Sequence, residues 1–404
     1  MKFKIRYIFL FLINILHLSA TEPTSPFKFY GFVRNDFYFN SRLNEEGIDG
    51  IFNFFPKPVS LNSDGKDENA VPNAEMISVG TRLGMDYLGK EILGAKTSAK
   101  IEADFAGAAS TYFLLRIRQA YVQLKWEKSG LLVGQAWHPM FGSVMPTMVS
   151  FNAGVPFQPF NRSPQIRYTG ELTKNVQYLA AAIYQMQYTS NGPSGFSHTY
   201  MKNSLIPNLY AGIEYKNKNL ISGIGIDYKK IKPDQLYISS LSGNAYIQYS
   251  KGMFMAKAKA IYGQNLSDLI MSGGYGKAFD VSSQTYYYTN FNSMTGWINL
   301  VYGKKWQTGI FAGYSEILGT GADLWQSNGK YTVYGRGFYS NTQEMVKHMI
   351  RIAPFLSYNV NGIIFGLEYN LTNATFGKLQ ANGLVSNPYQ VNNHRIVGLM
   401  SYNF

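Results

Sequence analysis

The stretch Arg395-Ile396-Val397-Gly398-Leu399-Met400-Ser401-Tyr402-Asn403-Phe404 decides the fold. Ile396, Gly398, Met400, Tyr402 and Phe404 share one parity, while Arg395, Ser401 and Asn403 share the other. A period of two is that of a strand, with one face apolar and the other wet. An apolar face that ends on aromatics at a terminal Phe is the edge of a transmembrane β-barrel stave. The same rhythm recurs back to Phe27, so the expected fold is a closed antiparallel barrel of about sixteen strands. Closure removes the edge strands that an open sheet of this length would expose.

The connections carry the count. Strands are expected at Phe27–Asn40, Glu75–Tyr87, Ala95–Ala106, Tyr112–Trp126, Leu131–Trp137, Pro164–Glu171 and Val176–Gln187. Beyond them, tight turns at 216–219, 250–252, 302–305 and 359–362 alternate with longer polar stretches at 188–206, 229–238, 264–288, 316–346 and 373–392. Short periplasmic turns alternating with long external loops are the mark of an outer-membrane barrel. Strand one starts too early to leave room for a plug domain.

The start reads as a signal peptide over residues 1–20, with Lys2, Lys4 and Arg6 before an apolar run from Tyr7 to Leu16. The barrel is then expected over 21–404, in the bacterial outer membrane and in contact with its lipids. Hydrophobic residues make up 46% and aromatics 16%. Those values suit a barrel with a wet interior and aromatic girdles at both interfaces. The absence of cysteine excludes disulfides and thiolate metal sites. Neither a cofactor nor a metal is expected.

The net charge is +13, of which Lys2, Lys4 and Arg6 supply three, leaving +10 on the remainder. No basic run of four residues accompanies it, so nucleic acid is not expected as a partner. Strand phase instead aims charge into the lumen. The inward set includes Arg34, Asp36, Arg82, Asp86, Lys100, Glu102, Asp104, Arg116, Arg118, Arg167, Arg351 and Arg395, with Lys257, Lys259, Glu171, Glu214, Asp227 and Glu368. Ile77, Val79, Leu83 and Met85 are read as lipid-facing. In strand four the phase slips after Arg118, which predicts a bulge near Gln119.

Strands fourteen, sixteen, one, two and four lie close together in a closed barrel. They offer Arg351, Arg395, Arg34, Arg82, Arg116 and Arg118 as one guanidinium wall, whose planar forks suit carboxylates. Two roles are open to it: drawing small anionic solutes through the lumen, or pairing with Asp36, Asp86, Glu102 and Asp104. The third external connection, 138–162, holds no Asp, Glu or Lys, but carries His138, Met140, Phe141, Met145, Met148, Phe151, Phe157 and Arg162. A loop this apolar is costly in bulk water, so it is expected to fold inward as a constriction loop.

The runs Arg116-Ile117-Arg118-Gln119-Ala120-Tyr121-Val122-Gln123-Leu124, Leu131-Leu132-Val133-Gly134-Gln135-Ala136-Trp137 and Arg162-Ser163-Pro164-Gln165-Ile166-Arg167-Tyr168 resemble the DcaP-like outer-membrane porins. The resemblance covers strands four to six. It implies a sixteen-stranded trimeric barrel, some members of which admit dicarboxylates. The opening Phe29-Tyr30-Gly31-Phe32-Val33-Arg34-Asn35-Asp36 resembles barrel proteins of Bacteroidetes-type bacteria. Outward alanines in strand seven, Ala180 and Ala182, offer close packing for a homotrimer.

The functional expectation is a porin for passive diffusion of small hydrophilic, anionic solutes. The alternative is a structural or adhesive barrel whose external loops, such as 44–70 and 316–346, bind partners. Enzymatic activity is not expected: His138, His198, His348 and His394 show no motif with a nearby nucleophile.

Overall fold

The computed structural model describes residues 25–47, 50–106, 114–151 and 153–404, so the signal-peptide expectation over 1–20 lies outside the described residues. The chain forms a closed antiparallel barrel of sixteen staves. The staves are β1 (Phe27–Asn40), β2 (Asn73–Ile77 and Arg82–Leu88), β3 (Lys96–Asp104), β4 (Arg116–Lys125), β5 (Ser129–Trp137) and β6 (Arg162–Thr173). They continue as β7 (Val176–Ile183), β8 (Asn208–Lys216), β9 (Leu220–Ile231), β10 (Ile238–Lys251) and β11 (Phe254–Gln264). The ring is completed by β12 (Thr285–Gly303), β13 (Trp306–Thr320), β14 (Glu344–Val360), β15 (Ile363–Leu379) and β16 (Val385–Asn403). No helix among the described residues is long and apolar enough to cross a membrane.

Closure is made between the first and last staves, with Arg34 opposite Ser401 and Tyr38 opposite Val397. Gly31 and Phe404 exchange backbone hydrogen bonds in both directions at 3.1 Å. A side chain at Gly31 would meet the Phe404 ring at 2.8 Å and the Arg82 carbonyl at 2.5 Å, so the seam requires glycine there. Phe27 and Phe404 sit on the rim that carries the short connections 126–128, 174–175, 217–219, 252–253, 304–305 and 361–362. Around that rim Phe29, Tyr249, Phe254, Tyr302, Trp306 and Tyr402 are exposed, as an interfacial girdle demands.

The outward apolar band is the part of the wall that lipid must solvate. Ile298, on β12 five residues above its tight turn, is 54% exposed. Ile298→Arg should destabilise the barrel by about 2–4 kcal/mol if the site lies near the bilayer midplane, read as a shift in urea unfolding from lipid vesicles.

Four local expectations are corrected. The second stave is not continuous: it breaks at 78–81, where β1 spends three residues against four. That extra residue reverses the phase, so Ile77 and Val79 face inward and pack beside Phe151, while Met76 is 71% exposed outside. The stretch 373–392 is mostly not a loop, because β15 and β16 run on as a ladder and leave only 380–384 between them. The stretch 316–346 likewise shrinks to 321–343. The seventh stave ends at Ile183 rather than Gln187, as the chain turns towards the loop helix Thr199–Ser204. The bulge in β4 is present, with Gln119 opposite Glu102 and Ile117 opposite Ala103, which leaves Arg118 as the extra residue.

Candidate functional site

The inner faces of β1 to β4 carry the densest charge. Arg34 forks onto Asp36 through Nε at 2.7 Å and Nη2 at 2.6 Å. Arg116 does the same to Asp104 at 2.9 and 2.8 Å, and its Nη1 donates to the Tyr188 hydroxyl at 3.3 Å. Arg118 bridges two acids, donating to Glu102 at 2.7 Å and to Asp104 at 2.6 Å. Alternation puts Arg116 and Arg118 on the same inward face, so both reach one carboxylate, and the bulge at Arg118 shifts the phase only of the residues after it. Arg82 lies 3.8 Å from Glu102, and Lys100 pairs with Asp86 at 2.7 Å. The arginines therefore pair with acids, four guanidinium groups (Arg34, Arg82, Arg116, Arg118) to three carboxylates (Asp36, Glu102, Asp104). Asp36 and Asp104 are fully buried, whereas Arg82, Lys100 and Asp86 keep some access to the lumen.

The segment 138–161 bonds to side chains on the inner wall across most of the barrel. Lys257 donates to the Met145 carbonyl at 3.0 Å and to Thr147 at 2.7 Å, and Lys259 donates to the Phe141 carbonyl. Asn299 and Thr147 exchange hydrogen bonds at 2.8 and 3.1 Å. Trp297 Nε1 donates to Gln158 at 2.9 Å. Glu368 accepts from the Val149 and Ser150 amides at 2.8 and 3.1 Å and from the Ser150 hydroxyl at 2.5 Å. One stave beyond β16, Arg34 Nη2 on β1 donates to the Val149 carbonyl at 2.7 Å. At its tip the Phe151 ring sits among Arg34, Arg82 and Arg118, 4.9, 5.8 and 6.0 Å from their guanidinium carbons.

The remaining loop residues divide by burial. Met140, Phe141 and Phe157 are buried, Met148 is half-buried and Met145 is exposed. His138 caps the turn Pro139–Phe141 by accepting from the Met140 amide at its Nδ1, which leaves Nε2 3.5 Å from Asp227. Arg162 closes the segment, fully buried, with its guanidinium carbon 4.6 Å from the Trp137 ring centre and 5.2 Å from Phe160. Its Nε donates to Gln187 at 2.6 Å, and its two terminal nitrogens meet no acceptor among the described residues.

Arg351 and Arg395 do not join a continuous guanidinium wall. Both are on inner faces but are covered by a hairpin of the first external connection, Asn44–Gly47 paired with Phe52–Pro56. Arg351 donates to the carbonyls of Asn53 (3.0 Å), Phe54 (2.8 Å) and Val155 (2.7 Å), and to Thr372 at 2.9 Å. Arg395 donates to the Gly50 carbonyl at 2.8 Å and to Asn40 at 3.1 Å. One buried guanidinium thus ties the first and third external connections together. Ile51, Phe52, Phe141, Val155, Phe160 and Ile270 from three connections pack into one apolar cluster.

Sequence reasoning missed this hairpin, although Ile51-Phe52-Asn53-Phe54-Phe55-Pro56 is as apolar as the third connection and carried the same signal. Arg167 lies on β6, donating to Gln165 at 2.7 Å and to the Trp137 carbonyl, and is half-buried. Among the described residues no group of three or more His, Asp or Glu could hold a metal ion.

The sequence matches no protein-family model and no curated protein. Solved structures do match in fold. The outer membrane channel DcaP of Acinetobacter baumannii is 19% identical, with 94% of this chain and 97% of that one covered, at a TM-score of 0.67. The anion-selective porin from Comamonas acidovorans is 11% identical over 94% and 99%, at 0.53. The trimer form of OmpT, an outer membrane protein of Vibrio cholerae, is 11% identical over 94% and 99%, also at 0.53. The likeness is one of fold: a sixteen-stranded barrel of the porin kind.

Proposed function

We propose that the chain is an outer-membrane porin of the DcaP-like group, passing small hydrophilic solutes by diffusion with a preference for anions, carboxylates in particular. The observation that carries the anion preference is an imbalance of partners. Inside the barrel Arg162, Arg167, Lys257, Lys259, Arg351 and Arg395 have no carboxylate within ion-pair distance among the described residues. Against them stand Glu171, Glu214, Glu368 and Asp227, the last beside His138 alone, while Asp36, Asp86, Glu102 and Asp104 are each matched by a lysine or arginine. Positive potential inside a low-dielectric wall is screened weakly, so it biases ions at about 0.15 M salt, where the Debye length is about 8 Å.

The constriction is made by Arg34, Arg82, Arg116 and Arg118 against the segment 138–162, with Phe151 between them. Association as a homotrimer in the outer membrane, by way of the outward alanines Ala180 and Ala182, belongs to the same proposal, as does the Bacteroidetes-type likeness of residues 29–36. Arg116→Ala with Arg118→Ala should move the reversal potential of a salt gradient towards cations and slow dicarboxylate uptake into liposomes. An unchanged reversal potential would reduce these arginines to partners of Asp104 and Glu102.

The apolar cluster joining three external connections supports a second reading, a barrel closed by its loops that binds partners outside. Steady ion conductance by purified protein separates the two, since a closed barrel passes none.

A further inference from the structure

The lipid-facing wall is not evenly covered. On its outer side β10 to β13 form a groove of about 1550 Å³. The floor is made of small outward residues, Gly243, Ala245, Ala258, Ala260, Gly296 and Ala312. Larger exposed side chains stand round it, Ile224, Leu241, Ile247 and Ile298 among them. The barrel itself does not require the floor to be bare. A side chain at Gly243 would meet nothing nearer than the Gly225 carbonyl at 3.5 Å, and one at Gly296 nothing nearer than the Lys259 carbonyl at 3.4 Å. From Leu241 to Ile247 the groove follows β10 for about 20 Å, at about 3.3 Å per residue. At a stave tilt of about 40° that is about 15 Å of depth, half of the roughly 30 Å hydrocarbon core.

Two ammonium groups stand over its external end. Lys230 shares the outward parity of Ile224 and Ile226, and lies opposite Ser239, two residues beyond Leu241 on the external side. The Nζ atoms of Lys230 and Lys232 are 4.8 and 5.2 Å from the centre of the exposed Tyr237 ring. Neither lysine has a carboxylate within ion-pair distance among the described residues. Asp234, the acid of the same connection, is turned elsewhere: it accepts from the Tyr288 hydroxyl at 2.7 Å and the Leu236 amide at 2.8 Å. On the far flank, four staves away on β13, Glu316 accepts from the Tyr314 hydroxyl at 2.8 Å, so the positive end of the groove is the β9 side.

We infer that this groove seats the acyl chains of one phosphate-bearing lipid of the outer leaflet, with its phosphate between Lys230 and Lys232 beside Tyr237. Basic side chains at the interface attract anionic headgroups, and a tyrosine ring suits the same depth. A second barrel would meet the depression with a convex wall and leave it unfilled, losing the dispersion contacts of the floor, whereas acyl chains take its shape. The groove begins three staves from Ala180 and Ala182 of β7, on a different arc of the wall. The inference needs the barrel to sit in the outer membrane and holds whether or not its lumen conducts.

The test is lipid retention by the purified full chain, read by native mass spectrometry in detergent with diphosphoryl lipid A or phosphatidylcholine added. One lipid A per barrel should be retained at concentrations well below those that load phosphatidylcholine. Lys230→Gln with Lys232→Gln should weaken lipid A retention about thirtyfold, the effect of two basic residues beside an anionic headgroup, and leave phosphatidylcholine unchanged. Ala258→Leu with Ala260→Leu fills the floor and should weaken both. Apolar changes on the lipid face keep the folding risk low, and heat-modifiable migration on gels confirms the barrel. Equal retention of the two lipids by wild type, or lipid A retention untouched by the lysine pair, would make the groove ordinary lipid contact and overturn the site. A filled variant that keeps lipid A as wild type does overturns it too. So does a filled variant that loses an oligomer, because the occupant is then a second copy.

Discussion

Asp104→Ala should be the most damaging single substitution in the barrel wall, lowering stability by about 3–5 kcal/mol, the usual cost of removing one partner from a buried charge pair. Asp104 is fully buried and holds Arg116 by both oxygens and Arg118 by one. Its loss leaves two guanidinium groups in a low-dielectric wall with Glu102 as their remaining acid neighbour. Urea unfolding from lipid vesicles measures the effect. Asp104→Asn keeps an acceptor and the shape, and should cost less. Equal stability of Asp104→Ala and wild type would show that these charges are solvated and that the wall is wetter than its burial implies.

Arg351→Ala should have the largest effect on the lumen. It strips hydrogen bonds from the carbonyls of Asn53, Phe54 and Val155, each of which costs about 1–3 kcal/mol if it stays buried and unpaired. The first and third connections can relieve that cost only by moving towards water. The expected result is a barrel that still folds, with higher single-channel conductance and new protease cleavage near residues 51–56. Arg351→Lys keeps the charge but not the fork, and should be intermediate. Unchanged conductance and cleavage would mean that the hairpin is held by Phe52 and Phe55 packing alone.

The stave pattern was legible because lipid demands an unbroken apolar face, and the outward residues Val33, Ile101, Val122 and Met400 keep to it. The bulge at Arg118 was legible for the same reason, since it shows as a slip of that face. What misled the reading of Ile77 and Val79 is that the inner wall is itself apolar where loops pack on it. Val301, Phe355 and Val397 point inward and are buried against Val149. Two apolar faces erase the parity signal, and a one-residue break such as 78–81 then goes unseen. The upper parts of β15 and β16 failed for the opposite reason. They stand clear of lipid, so their outer face is polar, as the bond from Asn373 to Asn392 at 2.8 Å illustrates, while Ala374, Phe376 and Val391 pack inward; without an apolar outer face the stretch reads as loop.

The candidate site was half legible. Alternation placed Arg34, Arg82, Arg116 and Arg118 on the inner wall, but their partners depend on which acid each long side chain reaches. Arg351 and Arg395 were misread because strand phase tells only that a side chain points inward, not what lies on top of it. The covering hairpin lies 298 residues from Arg351 and 345 from Arg395 in sequence at its hydrogen-bonded contacts, and no local pattern links them.

The most direct test of the central proposal is the reversal potential of the purified wild-type protein in a planar bilayer under a tenfold potassium chloride gradient. The account predicts open channels whose reversal potential lies on the chloride side of zero, fading as salt is raised and the charged wall is screened. Cation preference, or insertion without conductance, would contradict it.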